Sequence, residues 1–180
     1  MMIIRNGQLK VRHLEPKDNV LIEKWLTNPN VLHYYEGRDR PQTIELVNEK
    51  FYNRKNDEVG CIVEFEDKAI GYIQFYPISE GARKLYGYEN SEIIYGTDQF
   101  IGEEDYWNKG IGKLLVQSMV QFLIKDRNAN RIVMDPQAWN ERAIRCYEKC
   151  GFKKVKLMPK HEFHEGEYRD CWLIEYKAPI

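Results

Sequence analysis

Tyr106-Trp107-Asn108-Lys109-Gly110-Ile111-Gly112-Lys113 joins an apolar strand pattern at 93–101 to the most regular helical pattern in the chain, 110–127. Ile111, Leu114, Leu115, Met119, Phe122 and Leu123 recur at helical spacing and give that helix one apolar face. A glycine in the turn leaves no Cβ to block a ligand. The first N–H groups of a helix lack internal partners and carry partial positive charge. Such a turn can cradle a pyrophosphate, with Lys109 and Lys113 adding charge. Two glycines also shape an ordinary strand-to-helix connection, so the turn alone leaves both readings open. The spacing of a Walker A loop is missing, and no third glycine stands where a dinucleotide fingerprint needs it.

A second patterned stretch begins 28 residues after Gly112: Asn140-Glu141-Arg142-Ala143-Ile144-Arg145-Cys146-Tyr147-Glu148-Lys149-Cys150-Gly151-Phe152. Asn140 reads as an N-cap and Gly151 as the C-terminal stop. Taken alone, this is a capped helix with a buried tyrosine. Working outward, 131–134 is a short buried strand, and 152–157 and 171–176 are the last strands, separated by a polar insert at 160–170. Toward the N-terminus, 9–13 alternates as a first strand, and Pro16 opens a helix that Asn28-Pro29-Asn30 breaks. A second amphipathic helix is predicted over 42–52, a hairpin over 61–65 and 70–76, and a long loop over 79–90, which carries two glycines and two tyrosines.

The 180 residues predict one domain, 1–180, in the α/β (α+β) class. Apolar residues make up 43% and charged residues 31%, enough for an ordinary buried core. The formal net charge of −1 points to neither a nucleic-acid nor a membrane partner, so any charge preference must be local. No signal-like or membrane-length apolar run occurs, and the four cysteines form no CxxC pair. Free thiols and a cytoplasmic location are the expectation.

In this order, the Gly-x-Gly helix, the short strand and the Asn-x-x-Ala-x-x-x-Tyr-x-x-x-Gly-Phe helix resemble the GNAT superfamily of acetyltransferases. The resemblance implies a central mixed sheet, splayed in the middle, with helices on both faces. It implies acetyl-CoA as co-substrate and no metal. It assigns Phe100, Ile101, Lys109, Gly110, Ile111, Gly112, Lys113, Asn140, Ala143 and Tyr147 to the acetyl-CoA site. Trp107 departs from the pattern, because the family often carries Gln or Arg there.

Further segments are similar to the aminoglycoside 6′-N-acetyltransferases, including the acetyltransferase half of the bifunctional acetyltransferase–phosphotransferase resistance enzymes. They include 31–39, Tyr95-Gly96-Thr97-Asp98-Gln99-Phe100, Asp135-Pro136 and His161-Glu162-Phe163-His164-Glu165-Gly166. This likeness implies a small polycationic aminoglycoside as acceptor, acetylated on its 6′-amine by a monomer or homodimer. A polycation needs several carboxylates around one cavity. Asp98, Asp135, Glu162 and Glu165 are the candidates, with Glu167 and Asp170 nearby and Tyr35 as a pocket wall. A solvated loop is the competing reading of the C-terminal acids. Asp98 lies within an apolar strand, where a carboxylate needs a partner or a task. The implied roles are Asp98 as base or amine anchor and Tyr147 as acid toward the CoA thiolate. His161 and His164 read as surface-loop histidines rather than metal ligands. The alternatives are an acetyltransferase for a polyamine or a protein N-terminus, and a non-catalytic acetyl-CoA sensor.

Overall fold

The computed structural model describes residues 1–179. Its strands are β1 (Met2–Asn6), β2 (Leu9–His13), β3 (Val59–Phe65), β4 (Lys68–Pro77), β5 (Ile94–Ile101), β6 (Arg131–Met134), β7 (Lys153–His164) and β8 (Glu167–Lys177). Its α-helices are α1 (Asn19–Trp25), α2 (Pro29–Leu32), α3 (Ile44–Val47), α4 (Glu80–Tyr86), α5 (Ile111–Arg127) and α6 (Glu141–Lys149). The strand order is β1-β2-β3-β4-β5-β6-β8-β7. β5 and β6 run parallel, whereas β1/β2, β2/β3, β6/β8 and β7/β8 are antiparallel, so the sheet is mixed. The backbone falls into two compact units, one of residues 1–74 and 99–112, the other of 75–98 and the stretch from Lys113 onward.

In the first unit, Leu9 and Val11 are buried while Lys10 and Arg12 between them are not, as strand alternation requires. Arg12 makes paired hydrogen bonds to Asp18 at 2.8 and 2.9 Å. Burial by itself would raise the Asp18 pKa. The bonds from Arg12 and from the Glu15 N–H outweigh burial and hold the carboxyl below its usual range. The core gathers on Trp25, whose ring meets Phe100 edge-on at 6.1 Å, and on Tyr72, 5.8 Å from Phe100. Trp25 lies so close to the chain at Gly102 that a Cβ there would sit 2.2 Å from the indole. The indole N–H donates to Glu103 at 2.6 Å, and the Gly102 N–H donates to Ile70 O at 2.7 Å.

In the second unit, α5 buries Leu115, Met119 and Leu123, spaced by one turn each. Asn140 caps α6, accepting the Ala143 N–H at 3.4 Å, and Gly151 leaves the helix at φ +102°. Among the described residues all four cysteines are free thiols. No helix among the described residues is long and apolar enough to cross a membrane.

Five local expectations need correction. β1 is an additional strand, joined to β2 by a turn in which Gly7 has φ +61°. Asn28 does not merely break a helix; its side chain caps α2, with Pro29 at the first helical position. The stretch 42–52 is α3 followed by a π-helical turn, Asn48–Tyr52. The stretch 79–90 is not a long loop. Ser79 accepts the Ala82 N–H and Gly87, at φ +83°, ends α4. The polar insert 160–170 is the end of β7, a two-residue turn and the start of β8, so His161 and His164 are strand residues.

Gly102→Ala is expected to lower stability by about 1–3 kcal/mol through overpacking against Trp25. Thermal unfolding checks this, and an unchanged midpoint would show that the indole can move aside.

Candidate active site

The second unit concentrates carboxylates. Asp98 is partly buried on β5 and Asp135 follows β6 directly. The Asp135-Pro136-Gln137 segment is held by backbone. Pro136 O accepts the Trp172 N–H at 2.9 Å, and Ala138 N–H donates to Asp170 O at 2.8 Å. Gln137 also bridges to Cys171. The position of Asp135 is thus set by β8. Glu162 comes from β7, whose pairing with β8 shifts register between Met158 and Glu162.

These acids share neighbours. Tyr76 donates its phenol to Asp98 and also feels the charge of Asp135. Tyr86, delivered by α4, donates to Asp135 and feels the charge of Asp98. Burial first, and then the two carboxylate charges, push both phenols well above the ordinary tyrosine range. His161 Nε2 lies 2.9 Å from Asp135 Oδ2. That hydrogen bond raises the His161 pKa against an opposing effect of burial. Glu162 is exposed as a residue, yet its carboxylate accepts from Cys171 Sγ at 3.7 Å and hydrogen-bonds Gln137. Desolvation of that carboxylate, then the charge of Asp135, raises its pKa. Three acids and two neutral phenols make a place suited to cations.

Other candidate residues lie elsewhere. Glu165 is in the β7–β8 turn at φ +49°, its carboxylate 4.0 Å from His164 Nε2. His164 is buried and its ring lies 6.0 Å from that of Trp139. Asp170 accepts the Lys160 N–H at 2.9 Å. In the first unit, Tyr35 is half-buried with its ring 4.7 Å from buried Phe100. Ile101 O accepts the indole N–H of Trp107 at 2.8 Å, so Trp107 ties the turn to the end of β5.

The turn reaches α5 through Asn108 at φ +62° and Gly110 at φ +77°. A Cβ built on Gly110 or Gly112 meets no atom within 4 Å, so the backbone at the head of α5 is open there. Lys109 and Lys113 are exposed. On α6, Ala143 and Tyr147 are half-buried, and the Tyr147 ring is 6.3 Å from Phe152. On the same helix, Cys146 is brought down to about 7 by a hydrogen bond with Cys150 and by the charges of Lys113, Lys149 and Arg142.

Sequence reasoning named Asp98, Asp135 and Glu162, read His161 as a surface-loop residue, and missed Tyr76, Tyr86 and Gln137. Tyr76 ends an apolar run and reads as core. The two tyrosines within 79–90 were the available signal for Tyr86.

An acetyltransferase (GNAT) domain profile matches residues 15–159. The chain belongs to the GNAT acetyltransferase family. It is 27% identical over 152 residues to aminoglycoside N(6′)-acetyltransferase type 1 of Klebsiella pneumoniae, covering 83% of this chain and 76% of that protein. Among solved structures it is similar to AAC(6′)-Ib in complex with ribostamycin and coenzyme A (TM-score 0.77, 23% identity, 96% and 94% of the two chains). It is also similar to spermidine N-acetyltransferase from Vibrio cholerae in complex with CoA and spermine (TM-score 0.78, 21% identity, 96% of each chain).

A raised histidine pKa stabilises the fold fully below the unfolded-state value, and that contribution fades as pH rises through the folded-state value. In an NMR titration, the His161 ring is therefore expected to change charge above the ordinary histidine value. Asp135→Asn removes the largest cause of the shift and leaves burial, so the midpoint is expected to fall below that value. An unmoved midpoint would show that Asp135 does not set it.

Proposed function

We propose that this protein transfers the acetyl group of acetyl-CoA to the 6′-amine of aminoglycosides, by direct attack in a ternary complex. The observation that carries this reading is the pair Asp98 and Asp135 around two shared phenols, with Glu162 in the field of Asp135. Ammonium-rich sugars are recognised by charge-assisted hydrogen bonds of this kind. The aminoglycoside-modifying relative, similar over most of this chain, supports the same acceptor.

Acetyl-CoA supplies the acetyl group as a thioester. The open backbone at Gly110 and Gly112, at the head of the 17-residue α5, suits its pyrophosphate. Ile111, Lys109 and Lys113 complete that cradle, and Phe100, Ile101, Asn140, Ala143 and Tyr147 hold the rest of the cofactor. Tyr35, Asp135, Glu162 and Glu165 bind the acceptor. Asp98 takes the proton of the attacking amine or anchors it, and Tyr147 protonates the departing thiolate. An aspartate is a weak base toward an ammonium group, so anchoring and proton transfer are separable roles.

A polyamine acceptor is the second reading. The same carboxylates suit it, and the likeness to a spermidine N-acetyltransferase is equally full in length. Release of free CoA with kanamycin, spermidine and a peptide as acceptors separates the readings. Kanamycin is expected to be the best acceptor, with the acetyl group on the 6′-nitrogen by product NMR. Turnover confined to spermidine would favour the second reading, and acetyl-CoA binding without turnover would leave a sensor.

Asp98→Asn keeps shape and hydrogen-bonding reach but deletes the charge. The expected result is a fall in kcat of roughly 10²–10⁴, with acetyl-CoA affinity unchanged. A raised KM for kanamycin at wild-type kcat would make Asp98 an anchor instead.

A further inference from the structure

Asp98 and Asp135 each act electrostatically on the same two tyrosines, Tyr76 and Tyr86. The titratable groups around them are Tyr76 from β4, Tyr86 from α4, His161 and Glu162 from β7, and Cys171 and Asp170 from β8.

The backbone is shaped to bring the phenols in. The Ile78 N–H donates to Ile94 O at 3.1 Å, β4 neighbours β5 in the sheet, and Tyr76 lies against Gly96. A Cβ on Gly96 would lie 2.5–2.8 Å from Cε2, Cζ and Oη of Tyr76, so glycine is what lets the ring lie down on β5. Asp98 is two residues further along, on the same face of the strand. Tyr86 has a different origin. It is the last residue of α4, a seven-residue helix closed at one end by Ser79 and at the other by Gly87. Ala82, Tyr86 and Tyr88 pack that segment on the core around Ile94, Val133 and Leu173. The helix therefore delivers a phenol to Asp135 from outside the sheet.

We propose that Tyr76 and Tyr86 are positioning residues of the acceptor site, each donating its hydroxyl to one carboxylate, so that Asp98 and Asp135 are fixed in place before a cation arrives. This rests on the acceptor reading given above. A hydrogen bond to the charged form of a carboxylate favours that form. Burial keeps both phenols protonated, so they remain donors throughout the neutral range. His161 is a second donor to Asp135.

The test uses the full chain with ¹³C-labelled aspartate carboxyls and no acceptor. Asp98→Asn and Asp135→Asn assign the signals. In Tyr76→Phe, which keeps the ring over Gly96, the Asp98 carboxyl is expected to titrate about one pH unit higher. In Tyr86→Phe, KM for kanamycin is expected to rise several-fold while KM for acetyl-CoA stays unchanged, and an unmoved kanamycin KM would overturn the role of Tyr86. An unchanged Asp98 midpoint in Tyr76→Phe would overturn the proposal, whatever the acceptor proves to be. With kanamycin, the acid limb of kcat/KM is expected to move up by about one unit in Tyr76→Phe, a loss of roughly tenfold on that limb that vanishes at alkaline pH. A loss of equal size at every pH, with a lowered unfolding midpoint, would mark Tyr76 as merely structural and overturn its assigned role.

Discussion

Large aromatic rings lie against the chain at two places, within β5 and just past its end, and at both the chain carries glycine. Tyr76 lies over Gly96 and Trp25 lies against Gly102, each at a distance that no Cβ could share. Gly71 meets the same constraint from the other side, since a Cβ there would sit 2.4 Å from Phe100 O. Strand interiors disfavour glycine because it has no side chain to pack and costs entropy to order. Here the loss is offset by rings that fill the vacated space. In the first unit the ring is core. In the second it carries a hydroxyl to Asp98, so one packing device serves stability in one place and charge placement in the other.

The charge of the whole chain says nothing of this. Formal net charge is −1, while Asp98 and Asp135 share two phenols and Glu162 lies in the field of Asp135. Such a group is matched by its hydrogen-bond partners. Tyr76 donates to Asp98, Tyr86 to Asp135, His161 lies within hydrogen-bond distance of Asp135, and Gln137 bonds Glu162. Glu162 has Cys171 and Gln137 as its partners and is the acid whose pKa is pushed up.

The legible parts of the sequence were those where local chemistry and fold agree. α5 shows a full apolar face, α6 has both caps, and β6 is a short apolar run. The missed parts lack such agreement. α4 has no buried side chain, so periodicity gave no sign of it, although its Ser79 and Gly87 caps were present to be read. The long β7–β8 hairpin was hidden by its own composition, because an edge strand is largely exposed and reads as a polar loop. At the site, Asp98 stood out because charge in an apolar strand is anomalous, whereas Asp135 and Glu162 were named only from a likeness and from what a polycation needs. The tyrosine donors did not stand out, since an aromatic residue beside apolar neighbours looks like core until its partner is known.

Asp135 begins a segment whose backbone is tied to β8 through Pro136 and Ala138. The path of the chain there does not depend on the exposed side chain of Trp139. That position can drift in sequence while the backbone that carries Asp135 keeps its course, so the segment joins a fixed charge to a variable surface.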